Sequence, residues 1–439
     1  MENPMSLNGS YLSSNSTNSN DSTEIVLETF CHQVGGRSLI LTYDRNTVCK
    51  PLIPQELRFY LDLPQSLRPF TPHYKGVIKV DVQVTDDEKI QLVTKTKQSS
   101  DAADVNHNLD QKDTDSTADE DSEENDEVSN VTKEKAENKA EGAVNPWTFY
   151  CHGLHRQKLK ENIKKRKPID FILMEDVVSN FKFPCIMDLK MGDKMHKDYA
   201  NPEKYNRQAA KWNASTSKSL GLRIAGIQAY KGKSNNYVYQ DKYYGFQVTE
   251  ESIKDEFIRF LHNGKHIRKN VIAAFINQLE QLYARIEEQK DSRFYSSSLL
   301  LIYEGFERDT TDEGHVNGIS TESEATLVKK TQNNKTSVEV VEQSNGAQSS
   351  DMDEALNSEM PEMPLGNETQ TLNGVHTDMT GLASEKVGVK MIDFARSFHG
   401  HVRTEMDHIK ESLDGAPDEG YLLGLNSLIN ILQDIRMQS

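Results

Sequence analysis

Cysteine is scarce in this chain of 439 residues, and the four present, Cys31, Cys49, Cys151 and Cys185, form no C-x-x-C pair. That spacing argues against a disulfide framework or a structural zinc site and suits a reducing compartment. Long hydrophobic runs are also missing. No stretch reaches the ~20 apolar residues of a membrane span, and the first residues lack a basic segment followed by an apolar core, the mark of a secretory leader. The expectation is an intracellular soluble protein with no membrane span, cytoplasmic unless a signal carries it to the nucleus.

Three segments have little to bury. Residues 1–23 are rich in Ser and Asn, residues 98–142 hold fifteen acidic side chains against four basic ones, and residues 306–386 hold sixteen against five. Low hydrophobicity with high net charge cannot offset chain entropy, so 1–23, 98–144 and 306–386 are expected to be disordered. Solvated linkers are the ordinary reading of their Ser, Asp and Glu clusters, with acidic-directed kinase sites and protein partners as the alternatives. Without them the formal charge of −17 becomes +7 over about 290 residues. The ordered body is basic and large enough for two lobes, and it suggests an anionic partner.

Within that body, alternating apolar residues predict strands over 24–34, 37–44 and 47–52 as an antiparallel meander, and over 76–84, 170–178, 296–305 and 389–395. Helices are expected over 54–63, from Asn201-Pro202, over 250–262, 266–290 and 421–435, with a hairpin between 222 and 245. The strands 296–305 and 389–395 bracket the second acidic segment and read as one hairpin, because closure entropy grows slowly with loop length. The pattern indicates an α+β chain in two lobes. The boundaries are drawn as a β lobe over 24–97, a hinge and second lobe over 145–305, and its completion over 387–439.

Several charges sit where apolar residues are expected. In "PCIMDLKMGDK" (184–194), Asp188 and Lys190 point to one side of a strand. A surface ion pair is the ordinary explanation, but the apolar flanks favour a cleft. Asp393, in "MIDFA", suits a water-filled cleft or a cation, and magnesium takes one or two carboxylates with phosphate oxygens. Lys204, Arg207 and Lys211, with Gln208 beside them, form one helix face, either solvated or built for a polyanion. The run "KLKENIKKRKP" (158–168) suits a nuclear localisation signal or a solvated connection. It lacks interleaved aromatics, which argues against nucleic acid. His152 and His155 beside Cys151 have no second ligand pair and are read as structural.

The stretch "PCIMDLKMG" matches the P-x-x-x-D-x-K-x-G signature of the inositol polyphosphate kinase family, with Pro184, Asp188, Lys190 and Gly192 in place. "SSSLLLIYEG" and "MIDFA" resemble its two later blocks. "HQVGG", "VCKPL", "FTPHYKGV", "NPW", "DKYYG" and "NILQDI" resemble its hexakisphosphate kinase branch. The resemblance implies a two-lobed relative of the protein kinases that uses ATP and Mg2+ to convert inositol hexakisphosphate to a diphosphoinositol pentakisphosphate. It assigns Lys50 to the ATP phosphates and Glu175, Asp176 and Val177 to an adenine-holding hinge. Asp188 falls at the nucleotide and the active-site edge, and Lys190 at the inositol phosphate and transferred group. Asp393 takes the magnesium. Pro184, Gly192, Lys204, Arg207, Gln208, Lys211 and Arg396 fall at the substrate.

One position departs from that branch, which tends to read D-F-A-H where this chain has Asp393-Phe394-Ala395-Arg396. Arginine keeps a cation for phosphate but cannot titrate near neutral pH. Other readings remain: a multikinase or trisphosphate kinase acting on hydroxyls, or a non-catalytic scaffold binding ATP or polyanions.

Overall fold

The structure, a computed structural model, describes residues 24–85, 90–95, 145–165, 167–193, 206, 209–210, 212–307, 385–399 and 415–438. The expected disordered segments lie wholly or almost wholly outside these residues. So do Lys204, Arg207, Gln208 and Lys211, and most side chains of the 158–168 run. All described residues belong to one compact unit.

The first lobe is a sheet of seven strands: β1 (Glu24–Val26), β2 (Glu28–Thr29), β3 (Leu41–Asp44), β4 (Thr47–Pro51), β5 (Tyr74–Val84), β6 (Ile90–Lys95) and β7 (Ile169–Glu175). Their order is β1-β6-β5-β7-β4-β3-β2, and every paired strand is antiparallel. The meander is therefore only β2-β3-β4. β1 pairs instead with β6, because Leu27 donates its amide to Leu92 and the chain crosses from one end of the strand order to the other. Alternation on β7 decides the packing. Phe171 and Leu173 join Leu39, Leu41, Ile78 and Val80 in one core, whereas Ile172 and Met174 join the large core shared with the second lobe. Helix α1 (Pro54–Leu61) lies on that second side, with Leu57, Phe59 and Tyr60 buried. Proline at its first turn costs no hydrogen bond there. Helix α2 (Pro146–Lys165) closes the other core through Leu159.

The boundary expected at 145 thus moves. α2 and β7 belong to the first lobe, since β7 runs between β4 and β5 and completes both their ladders.

The second lobe is a five-stranded sheet of β8 (Pro184–Met191), β9 (Leu222–Lys231), β10 (Asn236–Gln240), β12 (Ser298–Glu304) and β13 (Val387–Ile392), ordered β10-β9-β8-β12-β13. A short pair, β11 (Ser292–Arg293) with β14 (Phe398–His399), stands beside it. Single-turn helices α3 (Ser217–Leu220) and α4 (Lys242–Gly245) precede β9 and follow β10; the stretch "DKYYG" is thus a helical turn, opened by Asp241 accepting from the amides of Tyr243 and Tyr244. Helices α5 (Ile253–Leu261), α6 (Lys269–Glu287) and α7 (Glu419–Gln438) pack on one face of the sheet.

β12 and β13 pair as expected across the second acidic segment. The described chain reaches Glu307 and resumes at Glu385, and buried Arg268 holds both ends: Nε stands 3.4 Å from Glu307 and Nη2 2.8 Å from Glu385. No helix among the described residues is long and apolar enough to cross a membrane.

Candidate active site

β8 is buried on both faces, and its period of two divides the roles. Cys185, Met187, Leu189 and Met191 enter the large core; Ile186, Asp188 and Lys190 face the other lobe. Across the sheet Lys190 pairs with Ser298 and Asp188 with Leu300. β13 delivers Asp393 just past its end, in a left-handed conformation (φ 64°) that aspartate tolerates better than most residues.

The lobes meet at these charges. Asp393 Oδ1 accepts from Lys50 Nζ of β4 at 3.2 Å, and its Oδ2 accepts from Lys190 Nζ at 3.1 Å. Lys190 also donates to the Ser296 carbonyl. Lys50, only 5% exposed, pairs at 2.9 Å with Glu56 of α1, itself 1% exposed. Glu56 accepts in turn from the Phe394 amide, and the Phe394 ring stacks on Phe59 at 4.1 Å. Burial opposes the charge on Lys50, but Glu56 and Asp393 outweigh it and hold its ammonium above the usual lysine range. Burial likewise pushes Asp393 up, but Lys190 and Lys50 overcome it and keep the carboxylate well below its usual range.

Asp188 is different. It is 2% exposed, its Oδ1 has no hydrogen-bond partner among the described residues, and burial pushes it up to about 6, with Lys190 pulling the other way and Asp393 adding repulsion. The chain over 30–36 lies directly on it. A side-chain Cβ at Gly35 would stand 1.9 Å from Asp188 Oδ2, and one at Gly226 would stand 1.8 Å from the Val34 carbonyl. Only glycine fits at either point. Next to this contact Val34, Val178, Ile186, Leu300 and Ile302 form an apolar cluster, with Val177, Phe181 and Ile392 packed against it.

Not every expected residue joins the cluster. Pro184 is buried six residues up β8, about 20 Å from Lys190 at ~3.3 Å per residue, and its carbonyl accepts from Gln228. That placement takes it away from the cluster of charges. Gly192 has φ 97° and gives its amide to the Gly221 carbonyl at 2.7 Å, a backbone role. Asp176 caps the turn after β7, accepting from the Val178 amide at 2.9 Å, and its own amide goes to Asn46. Glu175 gives its amide to His73. Arg396 sits half-buried in the turn three residues after Asp393. His155 bonds the Cys151 carbonyl one helical turn back, as a structural histidine does.

Glu56 escaped the sequence reading, although an acid on the same helix face as Leu57, Phe59 and Tyr60, six residues after Lys50, was a signal for it. Gly35 and Gly226 carried none beyond being glycine.

The arrangement offers one carboxylate between two ammonium groups, a second buried carboxylate with one oxygen lacking a donor, and an apolar cluster beside them. It suits the phosphates, ribose and base of a nucleotide.

The family model for inositol polyphosphate kinase matches residues 171–433. Human inositol hexakisphosphate kinase 1 is 31% identical over 450 residues, covering 94% of each chain. Human inositol hexakisphosphate kinases 2 and 3 are each 30% identical, covering 94% of this chain and 96% of theirs. Among solved structures, the inositol phosphate multikinase of S. cerevisiae, determined with ADP and Mn2+, is 18% identical over 61% of this chain and 84% of its own, with a TM-score of 0.38. With a match over more than half its length and relatives similar from end to end, this chain belongs to the inositol polyphosphate kinase family.

Proposed function

We propose that the protein is an ATP-dependent kinase that phosphorylates inositol hexakisphosphate to a diphosphoinositol pentakisphosphate. The observation that carries the reading is Asp393 held between Lys50 and Lys190 beside the buried Asp188, whose Oδ1 has no hydrogen-bond partner among the described residues. Nearly full-length similarity to hexakisphosphate kinases supports the choice of substrate.

In this reading the apolar cluster beside the 175–177 connection receives adenine. Asp188 accepts a hydroxyl of the ribose, which satisfies its orphaned oxygen and offsets the cost of burying it. Lys50 meets the ATP phosphates, oriented by Glu56 in the manner of the lysine–glutamate pair of protein kinases. Lys190 spans the transferring group and the acceptor, with Arg396, Lys204, Arg207, Gln208 and Lys211 given to the substrate phosphates.

Asp393 fits a magnesium ion, because a hard carboxylate with phosphate oxygens is the donor set magnesium prefers. When bound there, the ion would neutralise charge on the nucleotide phosphates. An acceptor phosphate is already ionised, so its oxygen attacks the γ-phosphorus without a strong general base. The bond to the β–γ bridging oxygen breaks and ADP leaves. Lys50 and Lys190 hold donor and acceptor in line, and transfer rests on positioning and electrostatics.

The same reading places the enzyme in the cytoplasm, gives the 158–168 run to nuclear entry, and gives the acidic segments to protein partners. The test is turnover with purified protein, Mg·ATP and inositol hexakisphosphate, run beside inositol trisphosphate and resolved by product charge. A product more anionic than the hexakisphosphate is expected. Turnover of the trisphosphate alone would move the chain to the multikinase or 3-kinase branch, and turnover of neither would favour a scaffold.

A further inference from the structure

The segment lying on Asp188 is tied from behind by the start of helix α2. Trp147 Nε1 donates to the Gly36 carbonyl at 2.7 Å, and the Cys151 thiol reaches the same oxygen at 3.7 Å. The Asn145 amide bonds Cys31, and the Thr148 hydroxyl bonds Phe30. Gln33, turned back within the segment, gives Nε2 to the carbonyls of Gly35 and Ser38.

The segment's other side faces the charges. Gly35 presses on Asp188, and a Cβ at Gly36 would stand 3.9 Å from Asp393 Oδ2. Trp147 also reaches the second lobe: Lys242 lies 5.8 Å over its ring, and Tyr243 meets it edge-on at 6.4 Å. One buried indole thus spans the segment and both lobes.

We infer that Trp147 is a positioning residue for phosphoryl transfer: through its bond to Gly36 it sets the height of the Gly35-Gly36 backbone over Asp188 and Asp393. The inference rests on the kinase reading of the cleft. Its consequence is a division of labour in which α2 adjusts the reacting end without contacting adenine or inositol phosphate.

The test uses the full chain with Mg·ATP and inositol hexakisphosphate. Trp147→Phe keeps a ring for Tyr150, Lys242 and Tyr243 but deletes the indole N–H that holds Gly36. A displacement of about 1 Å at a reacting centre can cost ~100-fold, so kcat per folded molecule should fall about 10- to 100-fold. KM for both substrates should stay within about threefold, and amide exchange over 33–38 should quicken. A purely structural tryptophan would lower the melting temperature and leave kcat within twofold, and that result overturns the inference. Should Trp147→Phe fail to fold, Gln33→Met releases the same backbone from its other support; the same loss of kcat supports the inference and an unchanged kcat overturns it. A wild-type protein that turned over no inositol phosphate would instead overturn the kinase reading, so the two failures separate.

Discussion

Among the described residues, Asp393 and Arg268 are each held between two opposite charges, and the two arrangements are inverses of one another. Asp393 lies between Lys50 and Lys190; Arg268 lies between Glu307 and Glu385. Arg268 is 2% exposed, and a third bond from its guanidinium goes to the Glu304 carbonyl. Its partner Glu307 is further engaged by Asn263 and His266. Asp393 keeps a fifth of its side chain open, holds a left-handed backbone and has for a neighbour Asp188, one of whose oxygens lacks a donor. The same arrangement of three charges fastens two chain ends where its centre is Arg268 and leaves its central carboxylate a fifth open where its centre is Asp393. What distinguishes the second arrangement from the first is the unpaired buried oxygen of Asp188 beside it, rather than burial or charge alone.

The largest break in this comparison is Asp393→Ala. Transfer should fall ~1,000-fold or more, as for other lost transition-state electrostatics, while circular dichroism shows a folded protein. Lys190→Ala should follow at about 100- to 1,000-fold, read from the same products.

Arg268→Met should do the reverse. Removing one member of a buried charge cluster costs about 3–5 kcal/mol, measurable by urea unfolding, whereas kcat/KM of the folded fraction should stay within twofold. Loss of turnover at full stability would erase the distinction between the two triads.

Asp188→Asn sharpens it on the stability side. The native carboxyl keeps its proton to about pH 6 against an ordinary value of 3.8, so between those values the folded state binds more protons than the unfolded one. Wild-type stability therefore falls as pH rises through this window and stays reduced above it. The asparagine variant should be more stable by roughly 1–3 kcal/mol at pH 8, with the gap closing near pH 4, and urea melts at the two pH values check this. The smallest effect belongs to Lys79→Ala. Its 3.0 Å bridge to Asp170 is exposed on both sides, and its loss should change stability by less than ~1 kcal/mol.

Much of the fold was legible. Alternation found most strands, and the pairing of β12 with β13 across the acidic segment followed from two apolar runs alone. The position of β7 was hidden, because an apolar strand after a long insertion carries no mark of which sheet admits it. β1 misled for a related reason: one residue, Leu27, separates it from β2, yet the two strands pair with different partners. In the site, Asp188, Lys190 and Asp393 stood out as charges among apolar neighbours, Lys50 came only from the family resemblance, and the four do converge. Pro184 and Gly192 lie in the same motif but serve the backbone, since a motif records what a stretch needs in order to fold as well as what it touches.

The central place of β7 bears on how the protein is made. β4 and β5 have left the ribosome long before the strand that joins them. From the end of β6 to the end of β7 the ribosome adds 80 residues, roughly 5–15 s of synthesis at ordinary rates. During that interval the two halves of the first sheet present open edges to each other and to any other chain nearby. The acidic stretch emerges in this window, and its net charge would repel a second nascent copy at the stage when the edges are bare.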